Sequence, residues 1–145
     1  MRLLLDTDVV LDFLLARAPF EQDAHALWMA CAQGHATGYI SPITPVNVFY
    51  IVRKSKGVTF TRQLIADMLG VVKICPLDQA MIEAAYALPM TDFEDAVQAV
   101  SAAAARLDAL VTRNTGDYGG APLPVLTPAE ALARLPAAGQ PPATS

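Results

Sequence analysis

Several things are scarce in this sequence, and each shortage narrows what the chain can be. Although 54% of its 145 residues are hydrophobic, they come in short runs and periodic stripes. None of those runs approaches the ~18 apolar residues of a membrane-spanning helix, so no membrane association is expected. There are two cysteines, Cys31 and Cys75, far apart and at no metal-ligand spacing. That excludes a disulfide scaffold or a zinc module and reads as two reduced, buried thiols of a cytoplasmic protein. The two histidines, His25 and His35, have no evident nucleophile or metal ligand to work with. Positive charge is also short: 10 Lys and Arg stand against 14 Asp and Glu, a net charge of −4. A surface built for broad, sequence-blind nucleic-acid binding is therefore not expected. An acidic total does suit a pocket crowded with carboxylates, and it leaves room for a local basic strip. The first residues, Met-Arg-Leu-Leu-Leu-Asp, reach an acid at position 6. That is too early for the ~7–15-residue apolar stretch of a secretory signal, so none is expected.

What is present alternates between short apolar strands and helical stripes. Strands are predicted at 2–6, 36–41, 71–75, 109–112 and 123–126. Helices are predicted at 8–16, 21–33, 45–55, 59–69, 78–87, 92–107 and 128–134, on 3/4 apolar spacing and on their start and stop residues. Pro45 is placed at a helix start, where its missing N–H is harmless. Asp78 is a good N-cap, and Gly34 and Gly57 are stops. One domain is expected over residues 1–135, followed by a Pro-, Ala- and Ser-containing flexible tail at 136–145. The alternation predicts a three-layer α/β/α domain on a mainly parallel sheet of four to five strands.

In such a sheet, loops leaving the carboxyl ends of neighbouring strands converge on one crevice. Asp6 follows the run Leu3-Leu4-Leu5, and Asp117 follows Ala109-Leu110-Val111 across a polar loop containing Thr112 and Asn114. Asp95 opens the longest helix. At ~100° per residue it lies about 150° from the centre of the stripe formed by Phe93, Ala96, Val97, Val100, Ala104 and Leu107. Asn47 falls early in another helix among apolar neighbours. Oxygen ligands converging in this way suit a hard divalent cation, Mg²⁺ or Mn²⁺. Each residue also has a plainer reading. Asp6 or Asp8 can cap the first helix. Thr91 with Glu94, and Thr44 with Asn47, have capping-box spacing. Asp117 can be an ordinary turn residue, and Asp12, one turn beyond Asp8, reads as a group supporting the site or, preferably, as a solvated charge. Arg53, Lys54 and Lys56 sit at a helix C-terminus, where the dipole favours cations; they are also the candidate phosphate contacts.

Four segments together carry a resemblance: Leu-Leu-Asp6-Thr7-Asp8-Val-Val-Leu-Asp12, Ile40-Ser-Pro-Ile-Thr44-Pro-Val-Asn47-Val-Phe-Tyr, Asp92-Phe-Glu94-Asp95-Ala-Val-Gln98, and Val111-Thr112-Arg113-Asn114-Thr-Gly-Asp117-Tyr118. In this order and spacing the chain resembles the PIN domain as found in VapC-type ribonuclease toxins. The resemblance implies a Mg²⁺- or Mn²⁺-dependent endoribonuclease. Asp6, Asp95 and Asp117 would hold the metal, and Asn47, Glu94, Thr112, Asn114 and Asp8 would support the site. The family often has Glu where this chain has Asn47, so one carboxylate is missing, and Glu94 or Asp8 is the available substitute. The resemblance also implies an antitoxin partner and a homodimer. For the homodimer the apolar crowd Leu11, Phe13, Leu14 and Leu15, with Trp28 and Tyr39, offers interface material.

Two other readings share part of the pattern. A PIN domain that binds RNA or protein without cutting would account for Asn47. Leu3 to Val9 also resembles the first motif of haloacid-dehalogenase-like phosphatases. Those enzymes need a later Lys and a Gly-Asp-x-x-x-Asp pair; here no Lys follows Lys73, and Ala121 stands where the second Asp should be.

Overall fold

A computed structural model describes residues 1–137. The tail expected from residue 136 lies, from residue 138 onward, outside the described residues. Five strands form one sheet: β1 (Arg2–Leu5), β2 (Thr37–Ile40), β3 (Lys73–Ile74), β4 (Ala109–Val111) and β5 (Val125–Leu126). Their order is β3-β2-β1-β4-β5, and every pairing is parallel. Seven helices connect and cover them: α1 (Thr7–Leu14), α2 (Glu21–Ala32), α3 (Ile43–Lys56), α4 (Val58–Leu69), α5 (Gln79–Ala87), α6 (Phe93–Ala104) and α7 (Pro128–Ala133). The predicted α/β architecture is therefore observed, and the sheet is parallel throughout.

The pleat of β1 and β4 sorts the core. Leu3, Leu5, Ala109 and Val111 point into the larger cluster, where α1, α2, α3, α4 and α7 supply Val9, Leu27, Val48, Met68 and Ala131. Leu4 and Leu110 point the other way, onto Ala99 and Ala102 of α6. Such double-sided burial explains why these strands read as continuous apolar runs. It also explains α6, whose residues from Ala96 to Ala102 are all buried. It is sandwiched between the sheet and α5, so its small Ala and Ser residues allow close approach. The stripe predicted from Phe93 to Leu107 fails at two of its members, because Phe93 is half exposed and Ala104 is exposed. Helix α6 also stops earlier than predicted, where Arg106 takes a positive φ of 54°. Strand β3 is two exposed residues at the sheet edge rather than the five predicted.

The apolar residues assigned to an interface are core instead. Leu11 and Trp28 are buried, and Phe13, Leu14 and Leu15 pack against the same cluster. Phe13 stacks on Trp28 at 5.0 Å between ring centroids. Tyr39 packs on the opposite cluster and receives the Arg2 guanidinium on its hydroxyl. The domain accommodates them because helices cover both faces of the sheet. Both cysteines are free and buried, and burial pushes each thiol up to about 11.

Candidate active site

The sheet order reverses about β1: the chain passes from β1 to β2 on one side, and β4 lies on the other. The crevice at the carboxyl ends of β1 and β4 is the place where such a sheet exposes loop residues together. Asp6 directly follows β1 there, with its backbone N–H on the Val111 carbonyl at 2.9 Å. A polar pocket of about 240 Å³ opens at this point, lined by Asp6, Thr7, Asp8, Leu11, Asn47, Ile51, Asp92, Glu94, Asp95 and Asp117. The structure thus brings Asp6, Asp95 and Asp117 together, with Asp8, Glu94 and Asn47 around them. It does not bring Arg53, Lys54 or Lys56 to the pocket. They remain exposed in the last turn of α3, where Arg53 lies over the Tyr50 ring at 4.8 Å.

Asp6 is buried, and both of its oxygens are held. The Thr112 hydroxyl donates to Oδ2 at 2.7 Å, and Gln98 Nε2 donates to Oδ1 at 3.0 Å. The Gln98 amide also donates to the Tyr118 hydroxyl at 3.2 Å, while its Oε1 accepts from the Thr7 N–H at 3.3 Å. Tyr118 in turn donates to Asp95 Oδ1 at 3.0 Å. A second relay runs from Thr44 to Thr7 (2.9 Å between hydroxyl oxygens) and from the Thr7 hydroxyl to Glu94 Oε1 (3.1 Å). The two central carboxylates are thus fixed through one glutamine and one tyrosine, the kind of support that sets ligand orientation at metal sites.

The charges are uncomfortable as they stand. Burial raises the Asp6 carboxyl above its ordinary range, against the pull of Thr112 and Gln98. Asp95 is pushed up to about 7, first by burial, then by the nearby Asp6 and Asp92 charges, and Tyr118 only partly offsets this. The Tyr118 hydroxyl is pushed up as well, by burial and by Asp6 and Asp95, so it stays a donor. A hard oxygen donor set with excess negative charge fits a divalent cation. Among the described residues, no three acidic, His or Cys side chains stand close enough to share one ion as placed. Asp117 is exposed in the short 3-10 turn Thr115–Tyr118 and Glu94 is half buried, so a cation would have to draw them towards Asp6 and Asp95.

Several sequence expectations change. Asp92, not Thr91, caps α6 by accepting from the Asp95 N–H at 3.0 Å, and Glu94 is turned to Thr7 instead of closing a capping box. Helix α3 begins at Ile43, so Thr44 and Asn47 lie inside it and no side chain caps it. Thr44 is committed to Thr7, and Asn47 faces the pocket. Asp12 is not a solvated charge: its side chain is 1% exposed and lies between Arg17 and Arg113. Asn114 is exposed, does not line the pocket, and gives its backbone N–H to the Thr112 hydroxyl at 3.1 Å. Thr112 acts only through Asp6.

Gln98 and Tyr118 join the site only through the fold. The available signal was spacing: Gln98 is one turn beyond both Glu94 and Asp95, a polar residue in an otherwise apolar or small-residue stretch. Gln98→Ala would strand partners on Asp6, Thr7 and Tyr118 at once. We expect it to cost about 2–4 kcal/mol of stability, measured by urea denaturation; a loss below 0.5 kcal/mol, roughly the surface-substitution range, would show that the network is dispensable.

A family model described as PIN domain matches residues 2–116, ending one residue before Asp117. No curated protein matches the chain. Among solved structures, the chain is similar to a toxin–antitoxin complex from Klebsiella pneumoniae, with 27% identity, TM-score 0.66 and coverage of 86% of this chain and 96% of that one. It is also similar to FitAcB from Neisseria gonorrhoeae (21% identity, TM-score 0.63, 87% and 97% covered). VapBC2 from Rickettsia felis, bound to a DNA fragment from its promoter, gives 20% identity, TM-score 0.62 and the same coverage of 87% and 97%. At these last two identities the likeness is one of fold.

Proposed function

The chain belongs to the PIN domain family, and from that premise we propose that it is a metal-dependent endoribonuclease, the toxin of a toxin–antitoxin pair. Residues 1–135 would form the nuclease domain. The observation that carries the reading is the fixing of Asp6 and Asp95, through Thr112, Gln98 and Tyr118, at the mouth of a pocket that Asp117 also lines. Asp6, Asp95 and Asp117 are the residues to hold Mg²⁺ or Mn²⁺. A cation held there would supply water activation and charge neutralisation on the scissile phosphate. The protein's own part is positional. Thr112 and Gln98 keep Asp6 aimed at the pocket, Tyr118 keeps Asp95 beside it, and Thr7 holds Glu94, the candidate substitute for the missing carboxylate, at the same pocket.

A PIN domain that binds without cutting is the competing reading, and Asn47 favours it by presenting an amide to the pocket. Synthetic RNA incubated with the protein in Mg²⁺, in Mn²⁺ and in EDTA separates the two. Cleavage in either ion and arrest in EDTA are expected. Binding without cleavage would establish the degenerate reading, and equal cleavage in EDTA would remove the metal. Asn47→Glu adds one negative charge facing the pocket, so we expect calorimetry to show about tenfold tighter Mn²⁺ binding, with equal or higher activity. Unchanged affinity would mean that position 47 does not reach the ion.

The likeness to a toxin–antitoxin complex supports an antitoxin partner. Helices α3 and α4 enclose an apolar groove of about 510 Å³ between Pro45, Val46, Phe49, Tyr50, Arg62, Ile65, Ala66 and Leu69. Because Asn47 and Ile51 of α3 also line the acidic pocket, an antitoxin segment seated in this groove would end beside the carboxylates. An arginine on it would pair with Asp6, Asp95 and Asp117 in place of the metal. A homodimer is part of the proposal, and with the first helix buried its interface must come from other exposed apolar residues such as Val58 and Phe60.

A further inference from the structure

Every ion pair within 4.0 Å among the described residues belongs to one cluster, beside the acidic pocket. Arg17 Nη1 is 3.8 Å from Asp8 Oδ1 and 3.9 Å from Asp12 Oδ1. Arg113 Nη2 is 4.0 Å from Asp8 Oδ1, and its Nε is 3.5 Å from Asp12 Oδ2. Asp8 lines the pocket, and both guanidiniums lie within 4.0 Å of its carboxylate. Arg113 directly follows Thr112, whose hydroxyl grips Asp6.

A structural brace would look different. A buried carboxylate paired for stability closes onto one arginine in a bidentate contact of about 2.7–2.9 Å. Here the contacts are long and divided between two arginines, and Asp12 Oδ1 and Arg113 Nε have no hydrogen-bond partner. Both guanidiniums are held by charge, and Arg113 also lies 4.2 Å over the Phe20 ring; Arg113 Nε is buried, so the donors left for a ligand are the terminal N–H groups. Stacking on an aromatic face also fixes the plane of the fork without using its N–H groups. Both side chains reach solvent, at 34% and 22% exposure. An anionic strand approaching six carboxylates needs cations close by; Arg17 and Arg113 pair with the pocket-lining Asp8, and among the described residues no ion pair ties Arg53, Lys54 or Lys56 to a pocket residue.

We infer that Arg17 and Arg113 form a phosphate clamp for the RNA strand, gripping a backbone phosphate next to the scissile one. Asp12 acts as the buried positioning residue that aims both guanidiniums at the rim. The assignment rests on the ribonuclease reading and names its substrate-binding residues.

The test is fluorescence anisotropy with a labelled single-stranded RNA of mixed sequence, in Ca²⁺ in place of Mg²⁺, with the RNA confirmed uncut, across a salt series. Wild type is compared with Arg17→Gln, Arg113→Gln, Arg113→Lys and, as a control at the opposite end of the sheet, Arg106→Gln. Each clamp variant should bind about tenfold more weakly, and the slope of log affinity against log salt should shrink by about 0.7 for each single-strand phosphate that is no longer neutralised. Arg113→Lys should recover the slope but not the full affinity, because it restores the charge without the planar fork. Arg106→Gln should change neither. Melting curves are run alongside, since a brace would lower Tm without moving the salt slope; that pattern would overturn the clamp. Wild type that does not bind RNA at all would overturn the ribonuclease reading and the clamp with it. Wild type that binds, with clamp variants of unchanged slope, would overturn the clamp alone.

Discussion

Asp6→Asn is expected to cut RNA at least about a thousandfold more slowly than wild type, while folding as well or better. The metal contribution assigned to this site is several kcal/mol, and each 1.36 kcal/mol is tenfold in rate. The fold should survive because the amide fits the same contacts. Its oxygen accepts from Gln98 Nε2, and its NH₂ faces the Thr112 hydroxyl, which rotates from donor to acceptor. One buried negative charge beside Asp95 disappears, so we expect about 1 kcal/mol of added stability in the metal-free protein at neutral pH. Cleavage rates and urea midpoints on the same preparations check both halves. A variant that cuts at the wild-type rate would take Asp6 out of the chemistry.

The second large effect is on stability against pH and metal. The Asp95 carboxyl is pushed up to about 7 from an ordinary 3.8, chiefly by burial and then by Asp6 and Asp92. Below pH ~4 it is protonated in both the folded and unfolded chains. Between ~4 and ~7 the folded chain keeps a proton that the unfolded chain has lost, so the unfolding free energy falls as pH rises through that window and levels off above it. Three units at 1.36 kcal/mol each set a ceiling of about 4 kcal/mol. Asp95 is partly exposed, and screening reduces the expected loss to about 1–2 kcal/mol. Asp6, raised in the same direction, adds to it. A cation in the pocket should reverse the loss, with stabilisation of about 2.7 kcal/mol at a hundred times its Kd. Tm measured from pH 4 to 8, in EDTA and in Mn²⁺, should therefore fall in the first series and recover in the second. A Tm that stays flat in EDTA and ignores Mn²⁺ would show that the carboxylates neither repel one another nor bind the ion.

The fold was largely legible because the apolar runs of β1 and β4 are bounded by acid or polar residues, and because parallel topology dictates where their ends meet. Asp6, Asp95 and Asp117 could be found for the same reason: each lies just past a strand or at a helix start. The supporting residues were harder to see. Gln98 looks like any surface amide until α6 is known to be covered on both sides. Tyr118 looks like a loop aromatic until its hydroxyl is placed between Gln98 and Asp95. Asp12 looked solvated because its partners, Arg17 and Arg113, are remote in sequence or across a turn. The capping-box spacings at Thr44 and Thr91 were real patterns overridden by tertiary contacts, since Thr7 recruits both Thr44 and Glu94. Local spacing carries no information about a partner brought in from another element.

The pocket between β1, α3, α6 and the turn after β4 is proposed to hold a divalent cation. Anomalous diffraction from crystals grown or soaked in Mn²⁺ tests it most directly. The expected result is a Mn²⁺ peak coordinated by carboxylate oxygens of Asp6 and Asp95, with Asp117 drawn in, and no peak in Asp6→Asn crystals treated in the same way. A protein that cuts RNA in Mn²⁺ yet shows its peak elsewhere, or shows the same peak after Asp6→Asn, would contradict the account.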